Sequence, residues 1–268
     1  MDGKRCVLVT GALGGMGSAA LKLLSEKGYR VIALDLEREN IPELYGAELI
    51  SADVTDEQSV RDAFEKVKES CKELYGIIHF AGIYMLNSLV EMPSVDFERI
   101  FDINLKGVFL INKTFMPLLG EGSRIIITTS ELAPLDPLPF TGIYAVSKAA
   151  LDKYAYSLRM ELQLLGISVS SLRAGAVSTG MLGVSTAALD RFCESTKLYN
   201  CNAKRFKAIV DRVEARSISP ERLAKRALRI LESRRPKFAY SINRNPLLLL
   251  LSALPKRLQL FIIKLILK

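Results

Sequence analysis

The glycine-rich stretch TGALGGMG, residues 10–17, constrains the fold of this chain more than any other feature. It follows the short apolar run RCVLVT (5–10) and precedes AALKLLSEKG (19–28), which has helical spacing and a closing glycine. In this context Gly11 permits a tight turn, while Gly15 and Gly17 let the backbone approach a pyrophosphate at the helix N-terminus. The stretch therefore indicates a dinucleotide-binding loop, with an ordinary glycine-rich turn as the alternative.

Apolar runs alternate with helical patterns along most of the chain. A long helix is predicted over 94–119 and an amphipathic helix over 55–70, opening with a capping box of Thr55 and Gln58. Strands are predicted at 5–10, 29–35, 47–54, 75–82, 123–130 and 167–175. This alternation predicts an α/β fold, a Rossmann-like doubly wound parallel sheet with helices on both faces. No repeat or linker divides residues 1–268, so a single domain is expected.

Cysteine and histidine usage excludes several classes of protein. The four cysteines form no C-x-x-C pair, so no disulfide framework is expected and a reducing, cytoplasmic setting fits better. With one histidine and no H-E-x-x-H motif, no metal site is predicted. Because the glycine-rich element begins at Thr10, no signal peptide is expected before it.

The net charge of +8 is concentrated at one end of the chain. Residues 1–219 carry 25 Lys and Arg against 27 Asp and Glu, whereas 220–268 carry 12 against 2. A local basic surface suits membrane lipid or an anionic substrate. A nucleic-acid partner is not predicted, because no aromatic side chains interleave with the cations.

Residues 246–268, hereafter the tail, combine long apolar runs with basic residues. Pro255, Lys256 and Arg257 interrupt the tail centrally, so it is a poor candidate for a membrane span. A broad apolar helix face with a basic stripe suits peripheral membrane contact. Such a face equally suits a cap over a substrate cleft or burial in a dimer.

Tyr144 lies four residues before Lys148 in the predicted helix GIYAVSKAAL (142–151). Positions i and i+4 share a helix face, so the ammonium is expected to lower the phenol pKa and favour the phenolate. Such a tyrosine can take and give protons, although a simple surface pair is the commoner fate of this spacing.

Asp35 ends the second predicted strand, 18 residues beyond Gly17. A carboxylate there can accept hydrogen bonds from the adenosine ribose and would repel a 2′-phosphate. The sequence therefore favours NAD(H), and the nearby Arg38 leaves NADP(H) as the alternative.

The chain resembles the short-chain dehydrogenase/reductase family in its single-domain, hydroxysteroid dehydrogenase-like branch. The resemblance covers roughly residues 4–240 and rests on an ordered set: TGxxxGxG at 10–17, Asp35, ADV at 52–54, FAG at 80–82, IN at 103–104, Ser130, Y-x-x-x-K at 144–148 and AGAVST at 174–179. Each motif alone is weak, whereas the ordered set is specific. Two departures bear on cofactor contacts: HFAG stands in place of NNAG, and Ala174-Gly175 in place of Pro-Gly. We interpret His79 within HFAG as structural.

The resemblance implies a catalytic role for four residues. Tyr144 is expected to be the general acid/base, and Lys148 to lower its pKa and hold the nicotinamide ribose. Ser130 is expected to hydrogen-bond the substrate oxygen, with Thr128 or Thr129 as competitors. Asn104 is expected to anchor a water that links Lys148 to solvent, or to make a purely structural hydrogen bond.

The resemblance also implies the cofactor contacts, a lid and an oligomer. Residues 180–216 are expected to be a substrate lid, and the helices containing Asn104 and Tyr144 to form a homodimer or homotetramer. The expected cofactor contacts are Gly11, Gly15, Met16, Gly17, Asp35, Asp53, Val54, Ala81, Gly82, Tyr144, Lys148, Val177 and Thr179.

The sequence thus predicts an NAD(H)-dependent oxidoreductase that interconverts a secondary alcohol and a ketone on a small lipophilic, steroid-like substrate. Reduction of long-chain keto lipids or acyl intermediates is the alternative among enzymes. A non-catalytic dinucleotide-binding sensor or scaffold is the alternative from another class. The expected location is the cytoplasm, with membrane association through the tail as a variant.

Overall fold

The computed structural model describes residues 5–214 and 216–268. Its strands are β1 (Cys6–Thr10), β2 (Arg30–Asp35), β3 (Glu48–Ser51), β4 (Leu74–His79), β5 (Leu119–Ser130), β6 (Ser168–Ala174) and β7 (Ala239–Ile242). They form one parallel sheet in the order β3-β2-β1-β4-β5-β6-β7. The strand order reverses between β1 and β4, as in doubly wound sheets, so the predicted fold class is confirmed. The edge strand β7 was not predicted.

Helices cover both faces of the sheet. They are α1 (Gly15–Glu26), α2 (Glu57–Ser70), α3 (Ser94–Phe101), α4 (Gly107–Phe115), α5 (Gly142–Leu162), α6 (Gly180–Ser195), α7 (Asn200–Glu214), α8 (Pro220–Leu231), α9 (Pro246–Ala253) and α10 (Lys256–Leu267). Along β1, Val7 and Val9 pack with α1 and α8, whereas Leu8 packs on the face covered by α2, α4 and α5. This burial on both faces is why the strands are apolar at nearly every position.

The start of α2 differs from the predicted capping box. Asp56, not Thr55, is the N-cap, and its carboxylate accepts a hydrogen bond from the Gln58 N–H at 3.0 Å. Thr55 instead donates its N–H and its hydroxyl to the Asp53 carboxylate, at 2.8 and 2.7 Å. The prediction was wrong because Asp56 offers a nearer acceptor for the free helical N–H groups.

The helix predicted over 94–119 is broken into parts. A π-helical turn (Asp102–Lys106) separates α3 from α4, and a 3₁₀ turn (Met116–Leu118) leads into β5. Such π turns widen the helix locally and are frequent at functional sites. Asn104 lies in this turn.

The predicted lid, 180–216, consists mainly of α6 and α7, and its residue Ala215 lies outside the described residues. Phe140, from the loop before α5, anchors these helices. Its ring lies 5.1 to 5.4 Å from the rings of Phe192, Tyr199 and Phe206. The lid thus has its own apolar core beside the sheet.

The tail folds as α9 and α10, which meet at Leu254 and Pro255. The far end of α10 is held to the lid, because the Asn202 side-chain amide donates to the Leu267 carbonyl at 2.6 Å. In the part of the chain that the structure describes, no helix has the length and apolar character needed to cross a bilayer.

His79 ends β4 and is buried, with 2% of its surface exposed. Its Nε2 lies 3.0 Å from Oδ1 of Asn112 on α4. Burial lowers the pKa of the imidazole to about 4. The ring is therefore neutral at physiological pH and joins β4 to α4, as expected of a structural residue.

We expect His79 to make the protein acid-sensitive. An unfolded histidine titrates near 6.5 and this one near 4, so the unfolded chain binds more protons between these values. The free energy of unfolding is therefore complete above pH 6.5 and falls by about 3 kcal/mol as the pH drops through the window. Urea denaturation at pH 7.5 and 4.5 should show a smaller pH dependence for His79→Gln, and an equal dependence in both proteins would contradict the assignment.

Candidate active site

The glycine-rich loop between β1 and α1 packs tightly against the end of β4. Gly11 has a φ of +65°, and a Cβ there would lie 2.5 Å from the Ala81 nitrogen. A Cβ on Gly17 would lie 2.2 Å from the Gly11 carbonyl oxygen, and one on Gly15 would lie 3.0 Å from Cγ2 of Thr179. Gly11 and Gly17 therefore require glycine, a Cβ on Gly15 would crowd the Thr179 side chain, and all three leave bare backbone at the N-terminus of α1.

A cleft of about 830 Å³ opens beside this loop at the carboxyl ends of the strands. This is where dinucleotides bind in doubly wound sheets, and the bare glycine backbone fits a pyrophosphate. Ten of the predicted cofactor contacts line the cleft: Gly11, Gly15, Met16, Gly17, Asp35, Asp53, Val54, Ala81, Gly82 and Thr179. The other three, Tyr144, Lys148 and Val177, line the adjoining apolar cavity.

Asp35 connects β2 to the glycine-rich loop. Its Oδ2 accepts a hydrogen bond from the Leu13 N–H at 2.8 Å. Its Oδ1 accepts from the Leu36 N–H at 2.8 Å and from Arg38 Nη2 at 3.0 Å. The carboxylate therefore shapes the loop, while the half-exposed guanidinium of Arg38 lines the same cleft.

Asn104 is fully buried, and its side-chain amide pairs with the backbone of Ile83 as a neighbouring strand would. Its Oδ1 accepts from the Ile83 N–H at 2.8 Å, and its Nδ2 donates to the Ile83 carbonyl at 3.0 Å. Nδ2 also lies 3.1 Å from Ser147 Oγ on α5. A Cβ added to Gly82 would lie 3.1 Å from Asn104 Oδ1 and 3.4 Å from Lys148 Nζ, so both atoms border one small space.

Ser130 and Tyr144 meet at the end of β5. The Ser130 hydroxyl is hydrogen-bonded to the Tyr144 phenol and accepts from the Leu132 N–H at 3.2 Å. Of its competitors, Thr129 bonds Ser171 at 2.9 Å, and the buried Thr128 hydroxyl has no hydrogen-bond partner in the described chain. The geometry thus favours Ser130 over either threonine.

Lys148 lies one helical turn from Tyr144 and is buried. Its Nζ donates to the Thr128 carbonyl at 3.2 Å and lies 5.9 Å from the centroid of the Tyr144 ring. Burial lowers the pKa of the ammonium to about 8.

The expected effect of Lys148 on Tyr144 is not found. Burial raises the pKa of the phenol to about 12, the Ser130 hydrogen bond opposes this rise, and the nearby Glu131 carboxylate adds to it. The prediction considered only the charge of the lysine, whereas desolvation of the phenolate dominates at this site. Tyr144 therefore holds its proton at neutral pH.

The tail covers the catalytic end of the sheet. A cavity of about 500 Å³ lies over Ser130, Tyr144 and Lys148. Its walls are mostly apolar and come from α5, α7, α9 and α10, with Leu138, Phe206, Leu248, Leu251, Ile263 and Leu267 among them. The tail thus lies over the catalytic end of the sheet, which is one of the three arrangements considered for it.

Sequence reasoning missed two residues of this site. The Tyr84 ring packs edge-on against Tyr144, with centroids 4.6 Å apart. Glu131 is buried, its pKa is raised by burial, and its Oε2 accepts from the Asn245 N–H at 2.6 Å. Their proximity to FAG and to Ser130 in sequence was the available signal.

The two departures from the family motifs have separate outcomes. His79 points to Asn112, while Phe80 lines both the cleft and the apolar cavity. Gly175 is required, because a Cβ there would lie 2.0 Å from the Asn243 carbonyl oxygen.

The chain is similar in sequence to known proteins. The family model described as short chain dehydrogenase matches residues 5–190. A reductase of Schizosaccharomyces pombe, named NADPH-dependent 1-acyldihydroxyacetone phosphate reductase, is 32% identical over 67% of this chain and 62% of its own. Mouse estradiol 17-beta-dehydrogenase 2 is 31% identical over 67% of this chain and 50% of its own. The matches thus span only half to under two thirds of these relatives.

A solved structure shares the fold. It is a short chain dehydrogenase from Burkholderia cenocepacia in complex with NADP, with a TM-score of 0.71 and 24% sequence identity. The match covers 90% of this chain and 96% of that one.

Proposed function

Because the chain belongs to the short-chain dehydrogenase/reductase family, we propose that it is an NAD(H)-dependent oxidoreductase interconverting a secondary alcohol and a ketone on a lipophilic substrate. The observation that carries this proposal is the meeting of Ser130, Tyr144 and Lys148 at the floor of an apolar cavity that adjoins the dinucleotide cleft.

The proposed chemistry assigns each side chain one task. Ser130 donates a hydrogen bond to the substrate oxygen, and Tyr144 gives a proton to that oxygen or takes one from it. When bound along the glycine-rich loop, the nicotinamide cofactor supplies or accepts the hydride. Lys148 holds the nicotinamide ribose and, with the space bordered by Asn104 and Gly82, passes protons toward solvent.

The raised pKa of Tyr144 suits reduction at neutral pH. A protonated phenol is ready to donate to a ketone oxygen. Oxidation of an alcohol requires the phenolate, so its rate should increase with pH.

The cavity supports a lipophilic, steroid-like alcohol as the substrate class. Its walls are mostly apolar, and the hydroxyl groups of Ser130 and Tyr144 lie at its catalytic end. Likeness to an estradiol dehydrogenase adds to this. A long-chain keto lipid or acyl substrate is the second candidate, because the reductase that shares 32% identity is named for 1-acyldihydroxyacetone phosphate and because the tail is basic.

We expect the Asp35 carboxylate to make NAD bind more tightly than NADP, through repulsion of the 2′-phosphate. Asp35→Asn keeps an acceptor for the Leu13 N–H but removes the charge. This variant should reduce the ratio of the Kd for NADP to the Kd for NAD by about tenfold, measured by fluorescence titration. Asp56→Asn, which removes a carboxylate outside the cleft, should leave the ratio unchanged. Equal affinities in the starting protein would refute the preference.

Turnover should require the Tyr144 hydroxyl. We would follow reduced-nicotinamide absorbance with NAD over a panel of steroid, bile-acid and long-chain secondary alcohols. Tyr144→Phe should lose about 10²- to 10⁴-fold in kcat with cofactor binding intact. Tyr156→Phe, on the exposed side of the same helix, should retain activity. Cofactor binding without turnover of any substrate would favour the sensor or scaffold alternative.

We also propose a homodimer or homotetramer formed through α4 and α5. Phe109, Val146, Tyr156 and Met160 are apolar and 43 to 52% exposed on these helices. Sedimentation velocity should show an assembly that Val146→Glu weakens and that the exposed-loop variant Val90→Glu does not. A monomer in the unchanged protein would contradict this.

A further inference from the structure

The tail has two apolar sides. Its inner side chains, including Leu248, Leu251 and Ile263, line the substrate cavity. Its outer side chains, Leu258, Leu260, Phe261 and Leu265, are 43 to 72% exposed. A helix that faces water on one side normally carries mainly polar residues there, whereas this outer face combines four large apolar side chains with cations.

The charged residues of the tail and of the segment before it all have one sign. Residues 233–268 contain eight Lys and Arg and no Asp or Glu. On α10, Arg257 and Lys264 lie one helical turn from Leu260 and Phe261, so they border the apolar side chains. Arg257, Lys264 and Lys268 are exposed.

Polar contacts hold the tail against the loop between β5 and α5. Asp136, six residues after Ser130, forms an ion pair with Lys256 and accepts from Gln259 Nε2 at 2.9 Å. Its own N–H donates to Ser252 Oγ at 3.2 Å. Gln259 is 5% exposed and also donates to the Leu254 carbonyl at 2.8 Å. These bonds join α9 and α10 into one unit with a defined outer face.

The wall of the cavity includes exposed side chains of the tail. Leu247, Leu250 and Ile266 line the cavity and are also 53 to 66% exposed. The cavity lining is therefore continuous with the surface of the tail at these three side chains.

We propose that the outer face of the tail docks on the surface of an anionic phospholipid membrane, with the cavity mouth toward the bilayer. The apolar side chains enter the interface, while Arg257, Lys264 and Lys268 contact lipid headgroups. Resting on the proposed function, this assigns the substrate class as a molecule dissolved in lipid, which reaches Tyr144 without crossing water.

Vesicle flotation tests the docking without any substrate. The full chain should float with phosphatidylcholine vesicles containing phosphatidylserine, and much less with phosphatidylcholine alone. A triple variant, Leu260→Gln/Phe261→Gln/Leu265→Gln, should reduce the vesicle-bound fraction at least about tenfold. A double variant, Lys264→Glu/Lys268→Glu, should remove the preference for phosphatidylserine. The matched control, Leu164→Gln/Leu165→Gln, changes exposed leucines beyond α5 and should float normally. NAD binding in every variant reports a folded chain.

Several results would overturn the proposal. One is equal flotation of the triple variant and the unchanged protein, and another is no flotation of the unchanged protein. The unchanged protein could fail to float while the triple variant sediments with a smaller mass than the unchanged protein does. The outer face would then be a contact between copies of this chain. With turnover established, the triple variant should lose activity on a vesicle-dissolved alcohol but keep it on a water-soluble one. Flotation without turnover of either would refute the proposed function and leave the docking intact.

Discussion

The close approach of the glycine-rich loop to the end of β4 is the contact on which the rest of the site depends. With no side chain at Gly11, the loop can lie against Ala81, and the Asp35 carboxylate then ties Leu13 to β2. This packing occurs where the strand order reverses between β1 and β4, which is where a cleft opens in a doubly wound sheet. The next loop after β4 carries Ile83, whose backbone pairs with Asn104 and so aligns the π turn beside Lys148.

Burial produces both the apolar character of the cavity and the shifted pKa values of Tyr144 and Lys148 beneath it. Walls that suit a lipophilic ligand also exclude water from Tyr144 and Lys148, which raises the pKa of the phenol and lowers that of the ammonium. Both shifts favour the uncharged forms. The Ser130 hydrogen bond is the contact that opposes the rise of the Tyr144 pKa.

Local patterns predicted the sheet well because buried parallel strands need continuous apolar runs. They missed β7, a short edge strand whose side chains are only half-buried, so its pattern is weak. They placed the N-cap of α2 one residue early, since Thr55 and Asp56 are both good caps and only the contact of Thr55 with Asp53 distinguishes them. Most of the predicted cofactor contacts line the cleft because they follow strand ends, whereas Glu131 and Tyr84 were missed because their partners are distant in sequence.

The tail shows why hydrophobicity alone could not predict its position. Residues 246–251, PLLLLL, have no polar side, so periodicity cannot distinguish a face that packs inward from one that faces outward. A few polar groups fix which side of the tail packs inward. Asn245 caps α9 and donates its N–H to Glu131, while Gln259 and Lys256 both contact Asp136. These contacts align one apolar side with the cavity, and the other side is then exposed as a matter of geometry. The leucine and phenylalanine side chains on that second side, Leu258, Leu260, Phe261 and Leu265, therefore do not contribute to the cavity wall.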